Sequence, residues 1–253
     1  LTKRAGAVDN ALAQGVLGVM VAGVRPSGWT GQADAIACWT HAGGEAVGAA
    51  GLHPWSVGTC SEDSELDLLA RLLARRPDGL VALGELGLDF RVARSDRARL
   101  AQQAAFRAQL GLARAHNLPV VLHGVGADAE LMRVLEKDGL PEAGGMVHGF
   151  TGSAEQARAW THLGLHVSVG GPVTWRRSAK RTAGLLAIPV DRLLVESDAP
   201  DQPVARRGRE PGQPVDVLEV LRVLGELRGV DAAVLGQQTA DNARRLFGLD
   251  RAG

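Results

Sequence analysis

The chain has 253 residues, 45% of them hydrophobic, with 28 Lys and Arg balanced by 28 Asp and Glu. Zero net charge excludes a whole-protein field drawing it to nucleic acid or anionic lipid, so any phosphate binding must be local. The length suits one large core, and α/β barrels commonly fill it as a single domain, expected here over 1–253.

The stretch from Leu1 to Gly15 (KRAGAVDNALAQG at its centre) predicts a helix leading into the first apolar run. Seven short apolar runs then read as buried parallel strands: VLGVMVAG from Val16, AVGAAGLHP from Ala46, LVALGELGLDF from Leu80, PVVLHG from Pro119, GGMVHGF from Gly144, HVSVGG from His166 and LLVESDAP from Leu193. Helix-like stretches from Ser64, Arg97, Ala129, Ser153 and Arg176 fall between them, with Ser64 and Ser153 expected as N-caps and the Arg97 helix ending just before Asn117 and Pro119. A Pro/Gly/Arg loop over 201–214 and two further helices, VDVLEVLRVLGELRG and DAAVLGQQTADNARRLFG, close the chain. Alternation without a boundary predicts a (β/α)8 TIM barrel with its first strand absent from this sequence.

Cys38 and Cys60 are too few and too oddly spaced for a disulfide framework or a zinc motif, which points to reduced thiols in the cytoplasm. The longest apolar stretch, near Gly15 to Val24, is too short to span a membrane. The chain opens on Leu1 rather than Met, as it would if an initiator segment preceded it.

Four of the apolar runs end on metal-binding side chains: Glu85, His123, His148 and Asp198. In a barrel, strand carboxyl ends share one mouth, and carboxylate with imidazole suits Zn, Mn or Mg, one ion or two. A carboxylate bridging two ions holds them roughly 3.5 to 4 Å apart, a role expected of Glu85. Asp198 is expected to bind metal and take the proton of an attacking water, and His123 and His148 to complete one ion. His53 precedes Pro54 at the end of its run, where it could contact a scissile phosphate or leaving oxygen; Trp55 and Trp175 could stack on splayed bases. Glu196, two residues before Asp198, would face the same side and support it, whereas His41, His116, His162 and His166 read as structural or surface residues.

GLHPW from Gly51, GELGLDF from Gly84, VLHG from Val121, VHGFTGS from Val147, ESDAP from Glu196 and the closing DNARRLFGL from Asp241 together resemble the TatD family of metal-dependent deoxyribonucleases, in order and over nearly the whole chain. The resemblance implies a TIM-barrel hydrolase acting on ester bonds with one or two divalent ions, often a 3′-to-5′ exonuclease whose partner is DNA, single-stranded or at 3′ ends. By position it implies Glu85, His123, His148 and Asp198 as ligands and His53 as an active-site histidine.

Two departures stand out. The family's first strand usually ends in His-x-His, which this sequence lacks; the expectation is that it precedes Leu1, the alternative a variant working with fewer ligands. After His123, where the family tends to carry a small residue, an arginine and an acid, the chain reads Gly124, Val125, Gly126. Arg206, Arg207 and Arg209 in the loop after Asp198 could bind the phosphate instead. Two competing readings follow from these departures: a hydrolase of small esters, lactones or amides, and a binding protein with an incomplete metal site.

Overall fold

The computed structural model describes residues 2–59 and 61–249; Cys60 and Leu1 lie outside them. Its contacts divide into two compact units, an inner one of Gly18–Met146 and a terminal one of Leu1–Leu17 with Val147–Gly253. The first helix, α1 (Thr2–Ala13), belongs to the terminal unit.

The inner unit runs β1 (Gly18–Ala22), α2 (Trp29–His41), β2 (Glu45–Ala50), α3 (Glu62–Arg75), β3 (Leu80–Asp89), α4 (Asp96–Ala115), β4 (Val120–Val125) and α5 (Asp128–Asp138). Its strand pairs are parallel: Gly18 to Ala22 pair with Glu45 to Ala49, Ala50 pairs with Leu83, and Leu83 to Asp89 pair with Val120 to Val125. Helices lie between consecutive strands, as parallel pairing requires. Leu80, Ala82, Leu83, Leu86 and Leu88 of β3 are all buried, and Ala105, Phe106, Leu110 and Ala113 make the buried stripe of α4. The β3–β4 register shifts between Gly84 and Leu86, so the irregularity falls on Glu85. A bulge there re-aims one side chain without disturbing the apolar residues on either side.

The division falls within β5 (Gly145–Val147), after Met146, and the terminal unit continues with α6 (Ala154–His162), β6 (His166–Val169), α7 (Ala179–Leu186), β7 (Leu193–Val195), α8 (Val217–Arg228) and α9 (Ala232–Phe247). Val167 to Val169 of β6 pair in parallel with Leu193 to Val195 of β7. Among the described residues the seven strands are those read from the sequence.

Three expectations about the helices need correction. The N-cap of α3 is Ser61, whose hydroxyl accepts from the Ser64 backbone N–H, so Ser64 lies inside the first turn. Helix α7 starts at Ala179 rather than near Arg176, because Ser178 caps it through the Arg181 N–H. Helix α2 escaped the pattern altogether: WTGQADAIACWTH carries one charged carboxylate, a glycine and two threonines, and buries fully only Trp39, so it shows little charged-versus-apolar contrast. Ser153 does cap α6, with a reciprocal bond from its own N–H to Gln156.

Candidate metal centre

In the inner unit, three predicted residues meet. The ring of His53 follows β2, Glu85 sits at the irregularity of β3, and His123 is on β4. His53 Nε2 lies 3.4 Å from Glu85 Oε2 and 3.1 Å from His123 Nδ1, and His123 Nδ1 lies 3.7 Å from Glu85 Oε2. His53 and His123 are buried. One donor atom from each of the three falls within 4.8 Å of the others, a grouping able to hold a cation.

The hydrogen bonds assign the protons. His53 Nδ1 accepts the backbone N–H of Trp55 at 3.1 Å, so the neutral ring carries its proton on Nε2 and points an N–H at Glu85 and His123. His123 Nε2 faces the carboxylate of Asp89, 3.3 Å from Oδ2. An acceptor-only carboxylate fixes the His123 proton on that nitrogen, leaving the Nδ1 lone pair on the side of His53 Nε2–H at 3.1 Å and Glu85 Oε2 at 3.7 Å. His123 and Glu85 are therefore set up as ligands and His53 as a proton donor. Two ligands of a tetrahedral ion at bonds of about 2.0–2.1 Å stand about 3.4 Å apart, close to the 3.7 Å between His123 Nδ1 and Glu85 Oε2. The donor set thus fits a Zn-like or Mn-like ion.

Asp89 is the residue that sequence reading passed over, although it closes the GELGLDF motif. Burial raises its pKa, but the Trp55 indole N–H at 2.7 Å, the Arg91 backbone N–H at 2.8 Å and His123 outweigh this, so the carboxyl lies below its ordinary value. Its signal was period two: Glu85, Gly87 and Asp89 alternate along one strand. Gly87, between them, has φ +146°, and a Cβ there would lie 2.0 Å from the His123 carbonyl oxygen, so only glycine lets β4 come this close.

Two glutamines of α4 hold the surrounding backbone. Gln109 accepts from Leu52 N–H at 2.7 Å and donates to Leu52 C=O at 3.0 Å, pairing the segment before His53 as a strand neighbour would. Gln102 accepts from Asp89 N–H at 2.9 Å and donates to Pro54 C=O at 3.0 Å, tying the His53 and Asp89 segments together. Both were missed, yet they stand seven residues apart inside the apolar stripe of α4, where a polar residue must find a partner.

The terminal unit gathers the other predicted ligands. A ring nitrogen of His148 and a carboxylate oxygen of Asp198 lie within 4.8 Å. Glu196 Oε1 accepts the Gly149 N–H at 2.7 Å and lies 3.6 Å from His148 Nδ1, so it orients the imidazole of His148, a partner the sequence reading, which set it beside Asp198, did not name. Asp198 has φ +48°, and its carboxylate accepts from the Gln202 side chain. The three loop arginines divide: Arg207 and Arg206 both bind the buried carboxylate of Asp216, Arg206 at 2.8 Å, whereas Arg209 is exposed. Arg207 is therefore not a solvated side chain but half of a buried pair. Trp55 is 51% exposed, its indole N–H on Asp89. Of the four histidines read as structural or surface residues, His41 and His162 are exposed and His166 is buried in β6.

The model of the family described as TatD related DNase matches residues 2–248, and the chain belongs to that family. It is 37% identical over 201 residues to the uncharacterized metal-dependent hydrolase YjjV of Escherichia coli K12, covering 79% of this chain and 76% of that one. It is 33% identical over 258 residues to the 3′-5′ ssDNA/RNA exonuclease TatD of Citrobacter koseri, covering 96% of this chain and 92% of the relative. The crystal structure of E. coli YjjV, a TatD homolog, matches with a TM-score of 0.89 at 32% identity, over 98% of this chain and 92% of that chain. An uncharacterized amidohydrolase from Saccharomyces cerevisiae matches the fold at TM-score 0.85 and 18% identity. These likenesses bear out the α/β barrel fold class and make the chain a metal-dependent hydrolase. No helix among the described residues is long and apolar enough to cross a membrane.

Proposed function

We propose that the protein is a phosphodiesterase that releases nucleotides from DNA 3′ ends in the cytoplasm, its divalent-ion ligands being Glu85 and His123 in the inner unit and His148 and Asp198 in the terminal unit. The observation that carries this is the proton assignment: Asp89 leaves His123 with a lone pair toward Glu85, while the Trp55 backbone leaves His53 with a proton on Nε2. A bound ion supplies Lewis acidity, making water acidic enough to ionise near neutral pH and offsetting negative charge on the phosphoryl oxygens. Asp198 takes the proton from the attacking water, and His53 Nε2–H donates toward the leaving oxygen. Arg206 and Arg209 contact phosphate; Arg207, bound to Asp216, holds the loop that carries them. The exonuclease name of the Citrobacter relative supports the substrate class.

Nucleotide release from single-stranded DNA with Mn²⁺ or Mg²⁺ tests the reading. Glu85→Gln and Asp198→Asn should each lower it by about a thousandfold or more. No release by metal-loaded protein would overturn it. Val125, where a phosphate-binding arginine is expected, favours a second reading, hydrolysis of a small ester or lactone; a panel of such substrates turned over far faster than DNA would establish it.

A further inference from the structure

Neutral overall charge makes any grip on a polyanion local, and besides the loop with Arg206, Arg207 and Arg209 the terminal unit carries a second basic segment. Arg176, Arg177, Lys180 and Arg181 follow Trp175 with no acid among them. Arg176, Lys180 and Arg181 are exposed, as is Arg209 in the loop after Asp198. None of these four forms a salt bridge among the described residues; Glu155 is the acid whose charge is felt near Lys180. Arg177 is committed to the Val173 carbonyl. A plain solvated helix face would explain the cations alone, but not what stands beside them.

Trp175 is 44% exposed, yet it is fixed: its indole N–H donates to the Pro203 carbonyl at 2.8 Å. With its one polar atom satisfied, what it offers to solvent is apolar ring. The neighbouring Thr174 hydroxyl accepts the Ala205 N–H at 2.8 Å, and Gly171 packs so tightly on Gln202 that a Cβ there would lie 1.9 Å from the Gln202 carbonyl oxygen. Gln202 in turn donates its side-chain amide to Asp198. Residues 198–205 therefore clamp the Trp175 segment at one end and hold the carboxylate of Asp198 at the other, so the exposed ring and the proposed ligand share one rigid connection.

We propose that Trp175 with Arg176, Lys180, Arg181 and Arg209 forms a track for single-stranded nucleic acid, one base stacking on the indole and successive phosphates meeting the cations, leading to Asp198. This deepens the phosphodiesterase reading and rests on it. A single strand is the partner that uses both features: a duplex hides its base faces, and an acidic peptide has no flat ring to stack.

The test is fluorescence anisotropy of a labelled phosphorothioate oligonucleotide, which resists hydrolysis, titrated with metal-loaded protein over a range of salt. Replacing Arg176, Lys180 and Arg181 with alanine together should make the slope of log K against log salt shallower by about 0.7 per lost phosphate contact, hence by about 2. Trp175→Ala should weaken binding roughly tenfold with the salt slope kept, and Trp175→Phe should restore most of the loss. Wild-type slope and affinity in all three variants would overturn the track while leaving the phosphodiesterase reading intact if nucleotide release persists. A wild-type protein that cleaves bis(p-nitrophenyl) phosphate but binds no oligonucleotide overturns the track and the DNA reading together. Far-UV circular dichroism of each variant separates lost binding from lost folding.

Discussion

Asp89→Asn is the sharpest probe of the inner unit, because it is nearly isosteric and changes only what the second oxygen can do. In the protein, Oδ2 accepts from the Trp55 indole at 2.7 Å and faces His123 Nε2 at 3.3 Å, while Oδ1 accepts from the Arg91 N–H at 2.8 Å. Asparagine has one acceptor and one donor end. If its oxygen stays on the Trp55 and His123 side, the amide N–H₂ faces the Arg91 N–H and one buried donor loses its partner. If it turns over, N–H₂ meets the indole N–H and drives His123 to the tautomer with its proton on Nδ1, removing the lone pair from Glu85. Either arrangement leaves a buried polar group unsatisfied, costing about 1–3 kcal/mol. The second also disables a ligand, and loss of such supporting partners typically lowers metal affinity by about 10- to 100-fold. Calorimetric titration of metal-stripped protein with Zn²⁺ or Mn²⁺ should show that loss. The rise in melting temperature on metal addition should shrink with it. Nitrogen NMR of the imidazoles should show His123 protonated on Nε2 in the wild type. Unchanged metal affinity with the His123 proton already on Nδ1 would refute the tautomer assignment and the ligand roles built on it.

Three other substitutions test the scaffold. Gly87→Ala must relieve a 2.0 Å approach to the His123 carbonyl and a φ of +146°, and should cost at least about 3 kcal/mol, read as a lower denaturant midpoint. Gln109→Leu keeps the volume but leaves Leu52 N–H and C=O buried and unpaired, for a loss of about 2–4 kcal/mol in chemical denaturation, with turnover falling as the His53 segment loosens. Asp216→Ala strands the largely buried guanidinium of Arg207, and should destabilise by about 3 kcal/mol in urea titration. Restoration by the double change with Arg207→Met would confirm that an unpaired charge caused the loss.

What the sequence made legible, and what it hid, follows from the range over which each signal acts. Strands β3 to β6 are largely buried and so read as continuous apolar runs, and β1 is apolar although partly exposed; Glu85 and His123 stood out as polar side chains interrupting β3 and β4, and His148 and Asp198 as polar side chains following β5 and β7. Helix α2 hid because Thr30, Gly31 and Thr40 blunt the contrast that charged residues give the other helices. Asp89, Gln102 and Gln109 hid for a different reason. Each acts on a partner distant in sequence, Asp89 on His123 and the glutamines on Leu52, Pro54 and Asp89, and no local pattern encodes such a pairing. Yet a buried side-chain amide or carboxylate has to be satisfied, and an apolar stripe containing Gln102 and Gln109 beside Phe106 already declares that two backbone segments elsewhere depend on it. The polar residues that interrupt a hydrophobic pattern therefore carry the long-range information, and here they are the ones that fix which nitrogen of His123 is free to bind an ion.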